Sequence, residues 1–524
     1  MRRSIALAAL LVACSNPWGD PSKQPGAVTD EADADTDADT DADTDADSDA
    51  DVDTGPNPDD VDDDGDGFSE NDGDCDDEDP SRNPGEVEAC DGIDNNCDGI
   101  SDLDFDDDGD GLQDCADFCP IQVNVAAADG GDGTWSFPFN RIQEGIDNTI
   151  LLGCTVVEVD EGTYYENIDY SGLVAQVRAR RGPSATVIDG GAVGLPVVSF
   201  VSGEGADSTL EGFTVTNGYA DLGGGILILN SDPSVLGNVI TGNRVEVNAT
   251  FTGGGGGGLY LRDSSPLIEG NEISDNDACY GGPESGCDGG GIAIRGGAPD
   301  ILGNDILANT AGDGGGIWLV RSDAAIFHNL IAWNQADDED TVKGGQGGGI
   351  DIQIGSAGTL VSNNIVQDNT ASTHGGGIAI YEYSATSGDP AVVNNTVVFN
   401  TVTDTTHGGG IASWSTTRPV VTNNIVAFNA PNGVTLNTTA VWTYNLVHGN
   451  GSDYVGAATN PTGTNGNIGG APNFVLATDN GDPTDDDLAL GAGSAAVNAG
   501  DPAVLDADGS RSDVGAFGGP AGGW

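Results

Sequence analysis

Gly289-Gly290-Gly291-Ile292-Ala293-Ile294, followed by Asn304-Asp305-Ile306-Leu307-Ala308-Asn309, is one instance of a phrase that recurs along this chain. It stands also as Gly223-Gly224-Gly225-Ile226 followed by Asn238 and Asn243. The asparagine pair keeps its five-residue separation eight times, beginning at Asn238, Asn271, Asn304, Asn329, Asn364, Asn395, Asn424 and Asn445. Successive pairs are 33, 33, 25, 35, 31, 29 and 21 residues apart. A fixed core with elastic spacing is the mark of a solenoid whose coils carry insertions of differing length.

Within each coil the phrase has a physical reading. Alternate residues of Ile226-Leu227-Ile228 and Ile292-Ala293-Ile294 point inward and build an aliphatic core. Asparagines at turn-compatible positions tolerate left-handed backbone, and their amides can hydrogen-bond up a stack. Glycine triplets suit a bend where the neighbouring coil leaves no room for a Cβ. Insertions fall just before triplets, as from Asp277 to Asp288 and from Asp337 to Gln346, so they gather on one edge.

Composition agrees with an all-β chain, because Gly, Asn, Thr, Val and Ile abound while helix formers are sparse. The formal charge is -71, from 86 acidic and 15 basic residues, with only Lys23 and Lys343 as lysines. Such a surface excludes nucleic acid as a partner and makes metal cations the natural counterions.

The N-terminus, Met1-Arg2-Arg3 and then an apolar run from Ile5 to Ala13, reads as an export signal too short to span a membrane. Its end, Leu11-Val12-Ala13-Cys14, resembles the bacterial lipobox. The resemblance implies a lipoprotein lipidated on Cys14, cleaved after residues 1–13, held at the outer membrane or cell surface by that lipid alone. Eight further cysteines in an exported chain predict disulfides. Cys279 and Cys287 bracket a short loop and are expected to pair; the connectivity of the N-terminal cysteines stays open.

Four segments follow: the signal with its Cys (1–14), an Asp/Ala/Thr-rich linker (15–58), a Cys- and Asp-rich module (59–120) and the solenoid (121–524). The linker contains almost nothing that could bury apolar surface and its charges repel, which predicts a disordered tether. In the module, alternating acids close on a glycine in the manner of calcium loops. Asp106, Asp108 and Asp110 precede Gly111, with Asp117 placed to close the shell. Asp62, Asp64 and Asp66 repeat the opening, with Asp72 and Asp74 available, and Asp94, Asn96 and Asp98 make a third version. Calcium is the cofactor this pattern predicts.

Gly73-Asp-Cys-Asp-Asp77, Asn83-Pro-Gly85 and Cys90 to Gly99 resemble the Cys- and Asp-rich metal-binding motif of bacterial surface proteins. Asp106 to Pro120 is similar to a thrombospondin type 3 calcium repeat. Together they imply a calcium-stabilised, disulfide-bearing spacer. From residue 121, Arg141 to Ile146 reads as a short amphipathic helix, with Val156–Val159 and Gly162–Asn167 as first strands. This opening resembles the cap of right-handed parallel β-helix proteins of the pectate lyase-like class, and Gly509 to Gly518 looks like a terminal coil of that class. The resemblance implies a right-handed parallel β-helix.

Two ladders carry candidate chemistry. The residue before the triplet is Asp288, Asp313, Gln346, His374 and His407 in successive coils, and the imidazoles could ligate metal or move protons. Arg262 and Arg295, with Arg321 nearby, fit a base or carboxylate clamp, the role that lyases on this fold give to arginine. The Arg-Ile-Lys string of the polygalacturonases is absent. Trp318, Trp333, Tyr381, Tyr383 and Trp414 are candidates for stacking on sugar rings. The leading expectation is a surface-displayed structural or carbohydrate-binding protein that takes a polysaccharide or cell-surface glycan. The alternatives are a calcium-dependent polysaccharide lyase acting on uronic-acid polymers, and metal sequestration by the acidic module.

Overall fold

The computed structural model describes residues 61–85, 93–97, 99, 119–246, 255–280, 287–337, 345–353, 355–356, 358–382, 390–415, 418–437, 439–456 and 460–523. The described residues from 62 onward belong to one compact unit. Cys14, the linker, Cys90, Asp98, Asp106, Asp108, Asp110, Cys115, Asp117 and Tyr383 lie outside the described residues.

The repeat winds into a right-handed parallel β-helix. Four parallel sheets run along it, of 12, 11, 11 and 7 strands among the described residues. In one coil the chain passes from Ile292–Arg295 in the sheet after the triplets (the triplet sheet) to Asp300–Leu302 in the 12-stranded sheet. It continues through Asp305–Leu307 between the asparagines (the asparagine sheet) to Thr310–Ala311 in the 7-stranded sheet. The next triplet then starts the coil above.

Register explains the core. Ile226, Leu259, Ile292, Ile317, Ile350, Ile378, Ile411 and Val434 are successive partners in one sheet, and all are fully buried. Ile240, Ile273, Ile306, Ile331, Val366, Val397 and Val426 form the matching stack of the asparagine sheet. Burying one such aliphatic side chain contributes about 1.5–3 kcal/mol, and each coil repeats the gain on its neighbour.

The asparagine ladders form as expected. Asn304 Nδ2 donates to Asn329 Oδ1 at 3.0 Å and to the Ile268 carbonyl at 2.9 Å, while the Asn304 backbone N–H donates to the same Oδ1 at 2.8 Å. The pattern repeats at the second asparagine, as from Asn309 to Asn334. One detail differs from the sequence reading. The left-handed residue is the one before each ladder asparagine: Ala308, His328, Trp333, Phe399, Phe428 and Tyr444 all have φ between 53° and 60°. The preceding residue turns the chain so that the asparagine side chain can plug the corner.

The triplets behave as predicted. Gly289 has φ +71°, and a Cβ on Gly291 would stand 2.7 Å from the Gly316 carbonyl of the next coil.

The cap matches in part. The helix Ile142–Asp147 buries Ile142 and Ile146, and the carboxylate of Glu166 accepts the N–H groups of Ile142 and Gln143. Val156–Val159 and Gly162–Tyr164 are strands, but Ile121–Val123 precedes the helix and begins the 12-stranded sheet. Three residues are too few to show a period, and their strand state comes from pairing with Val157 to Val159.

Gly509 to Gly518 is not a terminal coil. Residues 460–523 run back along the asparagine sheet as a strap. Asn363 Nδ2 donates to the carbonyls of Ala516 and Gly518, Gly515 donates to the Asn423 carbonyl, and Ala516 donates to Thr396 Oγ1. Leu488, Ala496 and Val514 bury themselves against Val398, Ile425 and Leu446. Left-handed Asn363, Asn394 and Asn423 turn their amides outward, and the strap satisfies them.

Cys279 and Cys287 are joined as expected, and Cys75–Cys97 and Cys119–Cys154 settle pairings that the sequence left open.

Candidate functional site

Because the aliphatic ladders occupy the inward positions of the triplet sheet, the alternate residues face outward. Arg262, Arg295, Val320 and Gln353 follow one another in register, and Tyr381 pairs with Trp414 on the rungs beyond. At about 4.8 Å per rung the strip from Arg262 to Trp414 runs about 24 Å. Arg262 and Arg295 are therefore stacked neighbours, as expected. Arg321 is not on their ladder: Val320 takes the rung, and Arg321 sits in a turn with φ 53°. Arg295 is within hydrogen-bonding reach of the Tyr260 phenol, which occupies part of its capacity.

The ladder before the triplets also assembles. Asp288 pairs with Asp313, Gln346 pairs with His374, and the His374 and His407 rings lie 3.7 Å apart. His374 stacks on Trp414 at 4.1 Å and 23°, and Trp414 lies 5.0 Å from Tyr381. The result is a continuous aromatic surface at the C-terminal end of the strip. Burial, with the neighbouring His407 charge, pulls His374 down to about 4 against a weaker pull from Asp404, so the ring is neutral at pH 7. His407 Nδ1 lies 3.2 Å from Asp404 Oδ2. Burial pushes the Asp404 carboxyl up, but hydrogen bonds from Thr406 and the His407 contact outweigh it and hold it ionised.

The other aromatic candidates divide. Trp318 is buried between coils, with the Asp351 rung after it, and Trp333 donates its indole N–H to the Gly481 carbonyl of the strap.

Sequence reasoning missed Asp351. In Ile350-Asp351-Ile352 it alternates outward and reads as a solvated acid, yet it is fully buried. Burial first, then the Asp313 charge, pushes its carboxyl well above the usual range, against the Gln353 amide. Gln353 Nε2 donates to Asp351 Oδ2 at 2.7 Å and lies 3.5 Å from Asp313 Oδ2, so one amide links the two carboxyl groups. Among the described residues Asp351 Oδ1 and Trp318 Nε1 have no hydrogen-bond partner. Aligning coils on the triplet would have found it: the equivalent positions hold Tyr260, Ala293, Trp318, Ala379 and Ala412.

In the acidic module, carboxylate oxygens of Asp62, Asp64 and Asp66 lie within 4.8 Å of one another. Asp62 folds the loop by accepting N–H bonds from Gly65 at 2.6 Å and Gly67 at 3.0 Å. Asp94 accepts from Gly99 at 2.8 Å in the same way. Asp74 is buried and close enough to raise the Asp64 carboxyl, an effect in which desolvation comes first and Asp66, Asp74 and Asp62 add their charges. Asp72 instead accepts from Ser69 Oγ at the start of the short helix Glu70–Asp72, away from the triad. Crowded carboxylates with oxygen as the sole donor atom fit a hard divalent cation.

Two family models match parts of the chain. Residues 197–402 match the family model described as "Right handed beta helix region". Residues 74–102 match one described as "Putative metal-binding motif", a span that includes the Cys75–Cys97 bridge and Asp94. Among solved structures, the crystal structure of the Dettilon tailspike protein is similar at 16% identity and a TM-score of 0.35. The likeness covers 63% of this chain and 55% of that one, so the chain spans little more than half the tailspike's length. No curated protein matches the chain.

Proposed function

We propose that this chain is a surface-displayed carbohydrate-binding protein. A lipid on Cys14 anchors it, the acidic linker and a calcium-stabilised module space it from the membrane, and the β-helix presents the strip to an extended polysaccharide. One observation carries the reading: Tyr381, Trp414, His374 and His407 form one contiguous aromatic surface on the outer face of a rigid sheet. Flat rings on a preorganised scaffold suit the apolar faces of sugars and lose little side-chain entropy on binding. Burial keeps the His374 ring of this surface neutral at pH 7.

The disulfides fit an oxidising compartment outside the cytoplasm. Among the described residues no helix is long and apolar enough to cross a membrane.

The test is a binding screen of the full chain against polysaccharides, with Trp414→Ala beside the wild type. Binding that the substitution removes supports the reading. Cleavage of a uronic polymer with an unsaturated product, lost in Arg262→Ala or Arg295→Ala, would replace it with a lyase.

A further inference from the structure

A second site lies on the 7-stranded sheet, away from the strip. Tyr219, Arg244 and Asp277 are successive partners there, and Tyr280 closes the same strand as Asp277. The Arg244 guanidinium lies over the Tyr280 ring at 4.5 Å from its centroid, and Tyr219 meets Tyr280 edge-on at 6.1 Å and 88°. These side chains wall a cleft of about 280 Å³ whose remaining lining is small: Ala192, Asn217, Gly218 and Gly242.

The described arginines differ in what meets their charge. Arg82, Arg141, Arg178, Arg180 and Arg181 are all ion-paired, as expected where acids outnumber bases so heavily. Arg244 is exposed, and among the side chains described its guanidinium is met by the Tyr280 ring and by no ion pair. The adjacent acid, Asp277, accepts the Cys279 N–H at 2.8 Å, and Asp189 accepts the Asn217 amide at 2.9 Å. Stacking on Tyr280 holds the guanidinium flat, which leaves its N–H edge to face an anion in two parallel bonds. Tyr280 keeps 43% of its surface exposed.

We infer that the cleft between Tyr219, Arg244 and Tyr280 binds a single anionic sugar unit, its carboxylate or sulfate on Arg244 and its ring against the tyrosines. The glycine and alanine floor admits a ring, and the volume suits one unit rather than a polymer segment. This site stands independently of the strip.

The experiment uses the full chain and four probes: a glucuronate-containing disaccharide, an O-sulfated galactose disaccharide and the neutral counterpart of each. Calorimetry and saturation-transfer NMR measure affinity for wild type, Arg244→Gln, Tyr280→Ala and Trp414→Ala, with thermal melting as the control for folding. At least one anionic probe should bind better than its neutral counterpart and weaken with added salt. Arg244→Gln should weaken it by about tenfold or more, while Trp414→Ala leaves it unchanged. Which anionic probe binds tells carboxylate from sulfate. Equal affinity for neutral probes, no binding of either anion, or full retention in Arg244→Gln overturns the inference. Loss confined to Trp414→Ala assigns the anion to the strip instead, and also overturns it.

Discussion

The imidazole of His374 lies flat on the indole of Trp414, a side chain of the next coil, with ring centroids 4.1 Å apart. Both the binding surface and the titration of His374 depend on this contact. Replacing Trp414 with Ala opens the ring to water, so the His374 resonance, titrating near 4 in the wild type, should move up toward 6.5. NMR titration of the imidazole protons reads this directly, and an unmoved value refutes the burial argument.

His374 also sets a slope in stability. Its folded value, about 4, lies below the unfolded one of 6.5, so the unfolded chain binds the proton first. Stability is complete above pH 6.5 and declines as pH falls toward 4. Denaturant midpoints across that window should show a shallower decline in His374→Gln than in the wild type.

Asp368 has the opposite sign. Burial, with the charges of Asp486, Asp479 and Asp482 on the strap, raises it to about 6. Its proton is held more tightly in the folded chain, so its contribution to stability increases as pH falls through 6 toward 4. Hydrogen exchange in residues 474–490 should slow between pH 7 and pH 5 after correction for intrinsic rates. Asp368→Asn should remove the change.

Asn329 Oδ1 accepts both the backbone N–H and the side-chain amide of Asn304, and its own amide reaches the Ile301 carbonyl and Asn364. Asn329→Ala leaves these buried groups without partners, at a cost of about 1–3 kcal/mol for each one unmet. Urea denaturation should show a loss of at least about 2 kcal/mol. Gly291→Ala, whose Cβ would press on the Gly316 carbonyl at 2.7 Å and on Asn309, should cost about as much.

Calcium should bind the module through Asp62, Asp64 and Asp66. Calorimetry of the full chain is expected to show uptake that falls by one site in a variant with all three changed to Asn. Uptake identical to the wild type would remove the triad from the ligand set.

Much of this was legible because stacking repeats each residue's environment. The eight asparagine pairs and the triplets announced the coils, and the inward Ile ladders followed from alternation. What escaped notice depends on contacts between coils or from far along the chain. Asp351 is buried by its rung neighbours, which its own coil does not contain. Ile121–Val123 becomes a strand by pairing with residues beyond the helix, and the left-handed turns fell to residues as unlike as Ala308 and Trp333 because the ladder bonds impose them. Of the candidate site, the His374 and His407 stack and the Arg262 and Arg295 pair could be read from position. The one-residue offset of Arg321 was readable the same way, and the structure places it in the turn after the rung.

The strap changes how the solenoid would come apart. A bare stack can lose its last coil, then the next, each step opposed only by one neighbour. Here His328, Trp333, Asn363, Asn394 and Asn423, on several coils, all hold the same returning segment. A force applied at the C-terminal residues is therefore loaded in shear along the asparagine sheet, and the end coils cannot unzip until the strap has been stripped from their flank.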